Sequence, residues 1–123
     1  MVESDVRVSV VVCTCNGEKY LRDQLQSILT QTRPPDEVII SDDGSTDSTL
    51  EIVEEVCSQW GEDKIPAWTV MTRTTPLGVS GNFASVLSQA HGEFIALADQ
   101  DDVWETNRLE KSLTLVIYHS YQS

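Results

Sequence analysis

Short apolar runs alternate along the chain with segments in which apolar residues recur at helical spacing. A β-branched run at residues 7–13 predicts the first strand, and residues 14–17 predict a turn after it. The next segment predicts a helix, because its apolar residues recur at intervals of three and four positions. These residues are Tyr20, Leu21, Leu25, Ile28 and Leu29.

The pattern of strand and helix then repeats three times. The predicted strands and helices are 38–40 with 50–56, 68–72 with 83–91, and 93–98 with 106–118. His91 directly precedes Gly92, which predicts a cation at the C-terminus of the third helix followed by a glycine cap. Trp104 is interpreted as a core anchor for the last helix.

Four strand and helix units joined by short connections predict an α/β fold. Each crossover is right-handed and both sheet faces have to be buried, so we expect a Rossmann-like, mostly parallel sheet flanked by helices. The length of 123 residues fits a single domain, residues 1–123. Ligands of such open sheets bind outside the carboxyl ends of the strands. The residues that follow each strand are therefore the candidate functional residues.

Charge and composition narrow the range of partners. The net charge of −12 disfavours nucleic acid and anionic membrane surfaces, and a phosphorylated ligand would need a divalent cation or backbone N–H groups. The apolar run at residues 8–13 is too short for a signal peptide or a membrane span, so we expect a cytoplasmic protein. The three cysteines, Cys13, Cys15 and Cys57, predict neither a disulfide framework nor a zinc site.

Carboxylates cluster after two of the predicted strands. Asp42 and Asp43 follow the second strand, and Asp99, Asp101 and Asp102 follow the fourth. Unit charges about 4 Å apart repel by about 4 kcal/mol at an effective dielectric constant near 20, so the second cluster favours a bound cation or a raised pKa. The hard oxygen ligands of an Asp-x-Asp spacing suit Mg²⁺ or Mn²⁺.

Both clusters also allow a purely structural interpretation. Residues 42–45 can form a strand-to-helix turn in which Gly44 permits the backbone conformation and Ser45 or Thr46 caps the helix. Residues 99–102 can form a solvated loop that caps the last helix.

Four segments, in their order along the chain, resemble family 2 glycosyltransferases of the GT-A fold. The segments are 8–16, 27–32, 42–47 and 92–102. The resemblance implies transfer of a sugar from a nucleoside-diphosphate sugar donor to an acceptor hydroxyl, with inversion at the anomeric carbon. The amino-acid sequence of residues 98–104 is similar to that of enzymes of bacterial cell-surface polysaccharide biosynthesis.

The resemblance also implies roles for residues of the donor site. In the family, the acidic residue that closes the second strand contacts the nucleobase, which indicates Asp43, with Asp42 as the alternative. Thr14 and Cys15 line the base pocket by the same analogy, although the family often has an aromatic residue where Cys15 stands.

The Asp-x-Asp motif carries the metal in this family. The resemblance therefore implies that Asp99 contacts the ribose and that Asp101, together with Asp99, holds Mn²⁺ or Mg²⁺. Asp102 is a candidate for supporting these ligands.

The acceptor half of the family's domain is not matched in this chain. Family members supply the catalytic base from a later segment, and neither Glu105 nor Glu110 matches it. We expect a donor-binding domain without its acceptor half, able to self-associate through uncovered apolar surface. Two alternatives remain open: a non-catalytic nucleotide-sugar binding or regulatory module, and a phosphoacceptor receiver-like domain.

Overall fold

The computed structural model describes residues 6–60, 66–98 and 103–111. Seven elements alternate between strand and helix, as predicted. They are β1 (Val8–Thr14), α1 (Leu21–Leu29), β2 (Glu37–Asp43), α2 (Thr49–Trp60), β3 (Ala67–Arg73), α3 (Gly78–Leu87) and β4 (Phe94–Ala98).

The four strands form one parallel sheet in the order β3-β2-β1-β4. The chain builds outwards from β1 through β2 to β3, and then crosses back to place β4 on the other side of β1. Every residue of β1 and β2 is buried, as expected for the central strands of a doubly covered sheet. The predicted parallel α/β fold is confirmed, and the reversal of strand order lies between β1 and β4.

Helices cover both faces of this sheet. On one face, Leu25 of α1 packs in a core with Val10 and Ile40 of the two central strands, and α2 joins the same core. On the other face, Val86 of α3 packs against Val11. Because alternate strand residues point to opposite faces, the continuous apolar runs of β1 and β2 supply both cores.

The third helix differs from the prediction at both ends. The apolar spacing predicted residues 83–91, whereas α3 begins at Gly78 and ends at Leu87. Its first turn contains Gly78, Ser80 and Gly81, so apolar periodicity could not reveal where it starts. Gly78 has a φ of +82°, a conformation that favours glycine at this helix start.

The cap of α2 also differs from the prediction. The Thr49 N–H group donates to Asp47 Oδ1 at 3.0 Å, so Asp47 caps this helix. The structural interpretation of residues 42–45 had placed this cap at Ser45 or Thr46. Gly44 has a φ of +79°, which confirms its predicted role in the preceding turn.

A buried carboxylate joins three segments at the amino edge of the sheet. Glu37 Oε1 accepts hydrogen bonds from Ser9 Oγ at 2.7 Å and from the His91 N–H group at 2.9 Å, and Glu37 Oε2 lies 2.8 Å from His91 Nδ1. Ser9 Oγ in turn accepts from the Gly92 N–H group at 2.8 Å. The prediction that His91 ends a helix was wrong, because α3 ends at Leu87, and the His91 ring contacts Glu37 instead.

The open face of β4 is apolar. Phe94 and Ala96 pack against the core that α1 and α2 share. Ile95 and Leu97 point to the other face and are 37% and 43% exposed. Within the described ranges, β4 is an edge strand with an apolar face that α3 does not cover.

The segment after β4 is described only in part. Trp104 is buried in the core together with Leu109, which confirms its prediction as an anchor. One helical turn is formed at residues 108–111, and the rest of the helix predicted at 106–118 lies outside the described residues. In the part of the chain that the structure describes, no helix has the length and apolar character needed to cross a membrane.

The pKa of Glu37 makes folding stability depend on pH through the amino edge of the sheet. Burial alone raises this pKa, but hydrogen bonds from the His91 N–H group, the Ser9 hydroxyl and the His91 ring outweigh burial and lower it. A carboxyl with a lowered folded pKa stabilises the fold above its unfolded pKa. That contribution is lost as the pH falls through the folded pKa.

We expect Glu37→Gln to lower the free energy of unfolding at neutral pH by about 1.5 to 3 kcal/mol, because it removes a charged hydrogen-bond acceptor. Urea denaturation measured at a series of pH values should also show a smaller loss of stability in acid for this variant than for the wild type. Glu93→Gln, a change at an exposed neighbour, is the control. Parallel acid profiles for Glu37→Gln and the wild type would contradict the expectation.

Candidate functional site

The carboxyl ends of β1 and β2 place two polar side chains in contact. Thr14 is paired in register with Asp42, and both are buried. Asp42 Oδ1 accepts hydrogen bonds from Thr14 Oγ1 and from Ser45 Oγ, both at 2.6 Å, and Asp42 Oδ2 accepts from the Ser45 N–H group at 2.9 Å. Asp42 therefore closes the turn after β2 and ties it to the end of β1.

The loop after β1 is bound to the loop after β2. The Asn16 N–H group donates to Ser45 Oγ at 2.8 Å, and the Thr46 N–H group donates to Asn16 Oδ1 at 2.8 Å. The Gly17 N–H group donates to Thr49 Oγ1 at 2.9 Å. Asn16 has a φ of +52°, a left-handed conformation that asparagine adopts more readily than most residues. The two loops consequently form one preorganised unit at the carboxyl edge.

Asp43 points to the opposite face of the sheet from Asp42, because successive strand residues alternate. Asp43 Oδ1 accepts from Arg73 Nη1 at 3.1 Å and from the Leu77 N–H group at 2.8 Å, and Asp43 Oδ2 accepts from the Gly78 N–H group at 3.0 Å. Asp43 thus caps the first turn of α3, where the helix dipole favours an anion. One carboxylate joins β2, β3 and α3.

Arg73 is fixed by four acceptors. Its Nη1 donates to Asp43 and, at 2.6 Å, to Asn82 Oδ1. Its Nη2 donates to Ser41 Oγ at 3.2 Å and to Ser85 Oγ at 2.7 Å. The sequence analysis did not single out Arg73, Asn82 or Ser85. The available signal was an arginine directly after the predicted strand 68–72, since the strand before it is followed by acidic residues.

The electrostatics of the site keep one carboxylate charged and one thiol neutral. The Leu77 N–H group contributes most to lowering the pKa of Asp43, burial opposes it, and the Gly78 N–H group and the Arg73 guanidinium lower this pKa further. Burial, followed by the charges of nearby aspartates, raises the pKa of the Cys15 thiol. Cys15 Sγ donates to the Asp43 carbonyl oxygen at 3.5 Å. Asp43 is therefore an anion at neutral pH, and Cys15 is a thiol.

A cleft of about 300 Å³ opens between the turn after β2 and the end of β3. It is lined by Asp42, Gly44, Ser45, Thr46, Leu50, Thr72, Arg73 and Thr74. A Cβ atom at Gly44 would lie 3.3 Å from Pro76 Cγ and 3.3 Å from the Thr74 carbonyl oxygen. The glycine lets the two loops approach closely, which keeps this polar cleft narrow.

The predicted metal loop lies outside the described residues. Asp99, Asp101 and Asp102 are among the residues that the structure does not describe, so their roles stay predictions. β4 ends at Ala98, which is paired with Val12, so the chain leaves the sheet at the carboxyl edge. The described ranges contain no group of three or more His, Cys, Asp and Glu residues that could hold a metal ion.

Solved structures share this arrangement of strands and helices. The S. aureus protein TarS, residues 1–349 in complex with UDP, is 33% identical with a TM-score of 0.78, over 93% of this chain and 33% of that chain. The mannosyltransferase PcManGT from Pyrobaculum calidifontis, in complex with GDP-Man and Mn²⁺, is 30% identical with a TM-score of 0.72, over 80% of this chain and 28% of that chain.

A family model decides the classification. The model described as glycosyl transferase family 2 matches residues 9–122. The chain belongs to glycosyl transferase family 2. A curated member of similar sequence is the putative teichuronic acid biosynthesis glycosyltransferase TuaG of Bacillus subtilis strain 168, 33% identical over 113 residues, 92% of this chain and 43% of TuaG.

The match to the family model confirms the predicted class of protein, and the similarity to TarS confirms the predicted GT-A fold. This chain spans 43% of the length of TuaG and 27% of the length of a Mycobacterium bovis relative. The structure brings Thr14, Cys15, Asp42 and Asp43 together at one edge of the sheet. Their individual roles in donor binding stay predictions.

We expect Asp43→Ala to lower the free energy of unfolding by about 3 kcal/mol, because it leaves the largely buried Arg73 without its anion and uncaps α3. Chemical denaturation followed by circular dichroism measures the change. Asp23→Ala, at an exposed position of α1, should stay within about 0.5 kcal/mol of the wild type. An Asp43→Ala variant as stable as Asp23→Ala would show that these contacts do not support the fold.

Proposed function

We propose that this chain binds the nucleoside-diphosphate sugar donor of an inverting glycosyltransferase. The observation that carries the proposal is the preorganised cluster of Thr14, Cys15, Asp42 and Asp43 at the carboxyl edge of a family 2 domain. Ligands of open α/β sheets bind at this edge. The complexes of TarS with UDP and of PcManGT with GDP-Man support the donor class.

The two aspartates that end β2 have different roles in this proposal. Asp43 is the nucleobase contact in this proposal, since its carboxylate is ionised and its backbone carbonyl oxygen accepts from Cys15. Asp42 supports the site, because its hydrogen bonds to Thr14 and Ser45 hold the two loops together. Thr14 and Cys15 form the wall of the base pocket.

A divalent cation is part of the same proposal. Asp99 and Asp101 would hold Mn²⁺ or Mg²⁺, because their carboxylates are the hard oxygen ligands that these ions prefer. A bound cation would neutralise charge on the departing diphosphate. The net charge of −12 favours such compensation for an anionic donor. The Mn²⁺ in the PcManGT complex supports this assignment.

The acceptor side of the reaction is also proposed. Curated relatives are longer than the part that this chain matches, so the acceptor pocket and the catalytic carboxylate base would come from additional sequence. The acceptor hydroxyl belongs to a glycan or a related molecule, in a cytoplasmic step of polysaccharide biosynthesis. The name of TuaG, a putative teichuronic acid biosynthesis glycosyltransferase, supports a role in biosynthesis. The apolar face of β4 at Ile95 and Leu97 would promote self-association of the chain alone.

Family membership bears on the two alternative functions, a receiver-like domain and a non-catalytic binding module. The receiver-like interpretation is set aside, because the family model covers residues 9–122. The non-catalytic binding module shares the donor site and differs only in lacking transfer, so an assay of transfer distinguishes it.

We expect UDP and dTDP to bind only when Mn²⁺ or Mg²⁺ is present, because the diphosphate otherwise meets an acidic surface. Isothermal titration calorimetry with metal and with a chelator measures the dependence. Asp101→Ala should abolish the metal-dependent part of the affinity, and Asp102→Ala should weaken it less. Equal binding with and without metal would contradict the proposed metal site.

We expect the isolated chain to bind donor without efficient transfer. General base catalysis contributes about 10² to 10⁴-fold and acceptor positioning contributes more, so their absence should leave only slow donor hydrolysis. Sugar release from several nucleotide sugars, with and without acceptors, measures the activity, and gel filtration measures self-association. A monomer that transfers sugar to an acceptor at about 1 per second or faster would overturn this part of the proposal.

A further inference from the structure

We propose that a cleft beside Trp104 is a second binding site, which takes a small ligand carrying a phosphate or a carboxylate group. The cleft has a volume of about 320 Å³ and is lined by Val103, Trp104, Glu105, Arg108 and Lys111. None of these residues belongs to the proposed donor site. The second site is therefore independent of the proposed function.

The cleft lies away from the carboxyl edge of the sheet. α1 follows β1, so it begins at the carboxyl edge and runs towards the amino edge. The Trp104 N–H group donates to Ser27 Oγ at 2.9 Å, and Ser27 lies about 9 Å along α1 from Leu21, its first residue. The Glu105 carbonyl oxygen accepts from Gln31 Nε2, beyond the end of α1, at 2.6 Å. A ligand in this cleft is thus separate from the donor edge.

Hydrogen bonds and core packing hold the wall of the cleft in place. The Thr106 carbonyl oxygen accepts from the Thr32 N–H group at 2.7 Å, and the Leu109 N–H group donates to Gln31 Oε1 at 3.0 Å. Trp104 and Leu109 are both buried in the core that α1 and α2 share. A preformed wall lowers the entropic cost of binding a small ligand.

The charge of the cleft is opposite in sign to that of the chain. The chain has eight Lys and Arg residues against twenty Asp and Glu residues, and its net charge is −12. Two of the eight basic residues, Arg108 and Lys111, line this one cleft together with a single acid, Glu105. A local excess of positive charge attracts an anion, which the rest of the acidic surface repels.

Arg108 is oriented by the ring of Trp104. Its guanidinium carbon, Cζ, lies 4.4 Å from the centroid of this ring. Stacking uses the face of the guanidinium, whereas its N–H groups lie in its plane, so a stacked arginine can still donate within that plane. Arginine forms two parallel hydrogen bonds with one carboxylate or phosphate. The ring therefore orients a group suited to either anion.

Lys111 supplies a second cation to the same cleft. Its Nζ atom lies 3.9 Å from Glu105 Oε2, and the two side chains are 66% and 82% exposed. Exposed ion pairs of this kind contribute little to stability, so an anionic ligand can replace Glu105 beside the ammonium group. An anion between Arg108 and Lys111 would then interact with two positive charges.

The first experiment measures anion binding at the indole group of Trp104. The chain has three tryptophans, and each gives one indole N–H signal in a proton–nitrogen correlation NMR spectrum. Trp60→Phe and Trp68→Phe assign the other two signals. Because Arg108 lies on the Trp104 ring, an anion that binds Arg108 should shift the Trp104 signal.

The probes distinguish the two kinds of anion. Glucose 6-phosphate carries a phosphate, glucuronate carries a carboxylate, and glucose carries no charge. At least one of the two anions should shift the Trp104 signal in a saturable way, and the tighter one identifies the preferred group. No saturable shift with either anion would overturn the proposal, and so would an equal shift with glucose.

Charge variants test whether the lining side chains cause the binding. Arg108→Gln and Lys111→Gln should each weaken anion binding by about tenfold, because each removes a charged hydrogen-bond donor. Glu105→Gln removes the acid of the cleft and should strengthen binding by about threefold. Arg7→Gln, at an exposed position before β1, makes the same change in net charge and should leave the affinity unchanged. Equal weakening in Arg7→Gln would overturn the site, since it would indicate a general effect of charge.

Two further measurements separate these results from folding and from donor binding. Thermal melting identifies a variant that has lost its fold, and Lys111→Gln decides the test if Arg108→Gln is unfolded. UDP with Mn²⁺ should bind equally well with and without saturating glucose 6-phosphate or glucuronate. Competition between UDP and the anion would overturn the second site and place the anion at the donor edge. Absence of UDP binding, with the Trp104 shift intact, would contradict the proposed function alone.

Discussion

The carboxylate of Asp43 is the junction on which the carboxyl edge of this domain depends. It ends β2, pairs with the guanidinium at the end of β3 and caps the first turn of α3. A buried carboxylate without partners would destabilise the fold, and the hydrogen-bond donors around Asp43 compensate its charge. The helix start, the strand end and the charge of the site are thus set by one side chain.

The remainder of the site is arranged around a second buried carboxylate. Asp42 faces the core shared by α1 and α2, whereas Asp43 faces α3, so the two adjacent acids serve different layers of the fold. Asn16 and Ser45 bind the loop of Asp42 to the loop after β1. Polar groups that would otherwise be free to move are held by each other, which is the preorganisation that ligand binding requires.

The fold could be predicted from the sequence because the apolar runs of β1 and β2 are continuous. Continuous apolar runs are typical of strands that are covered on both faces of a sheet. The start of α3 could not be predicted, since it depends on a hydrogen bond that the Gly78 N–H group donates to Asp43 of β2, and not on local apolar spacing. The same holds for His91, whose partner Glu37 is 54 positions away along the chain. Residues that follow the strands, Arg73 among them, were predictable as candidates by topology. The contacts of Arg73 with Asn82 and Ser85 could not be predicted, because they require the packing of α3 against β2 and β3.

The amino edge of the sheet carries a consequence for mutational scanning of this protein. A Cβ atom at Gly92 would lie 2.7 Å from the Ser9 backbone nitrogen and 2.9 Å from the Arg7 carbonyl oxygen, distances that real side chains do not reach. Every substitution at Gly92 therefore has to move either the start of β1 or the segment that carries Gly92. A scan scored by activity would rank this glycine with the donor-site residues, although it lies at the far end of the strands from them. Abundance measured alongside activity would separate the two classes.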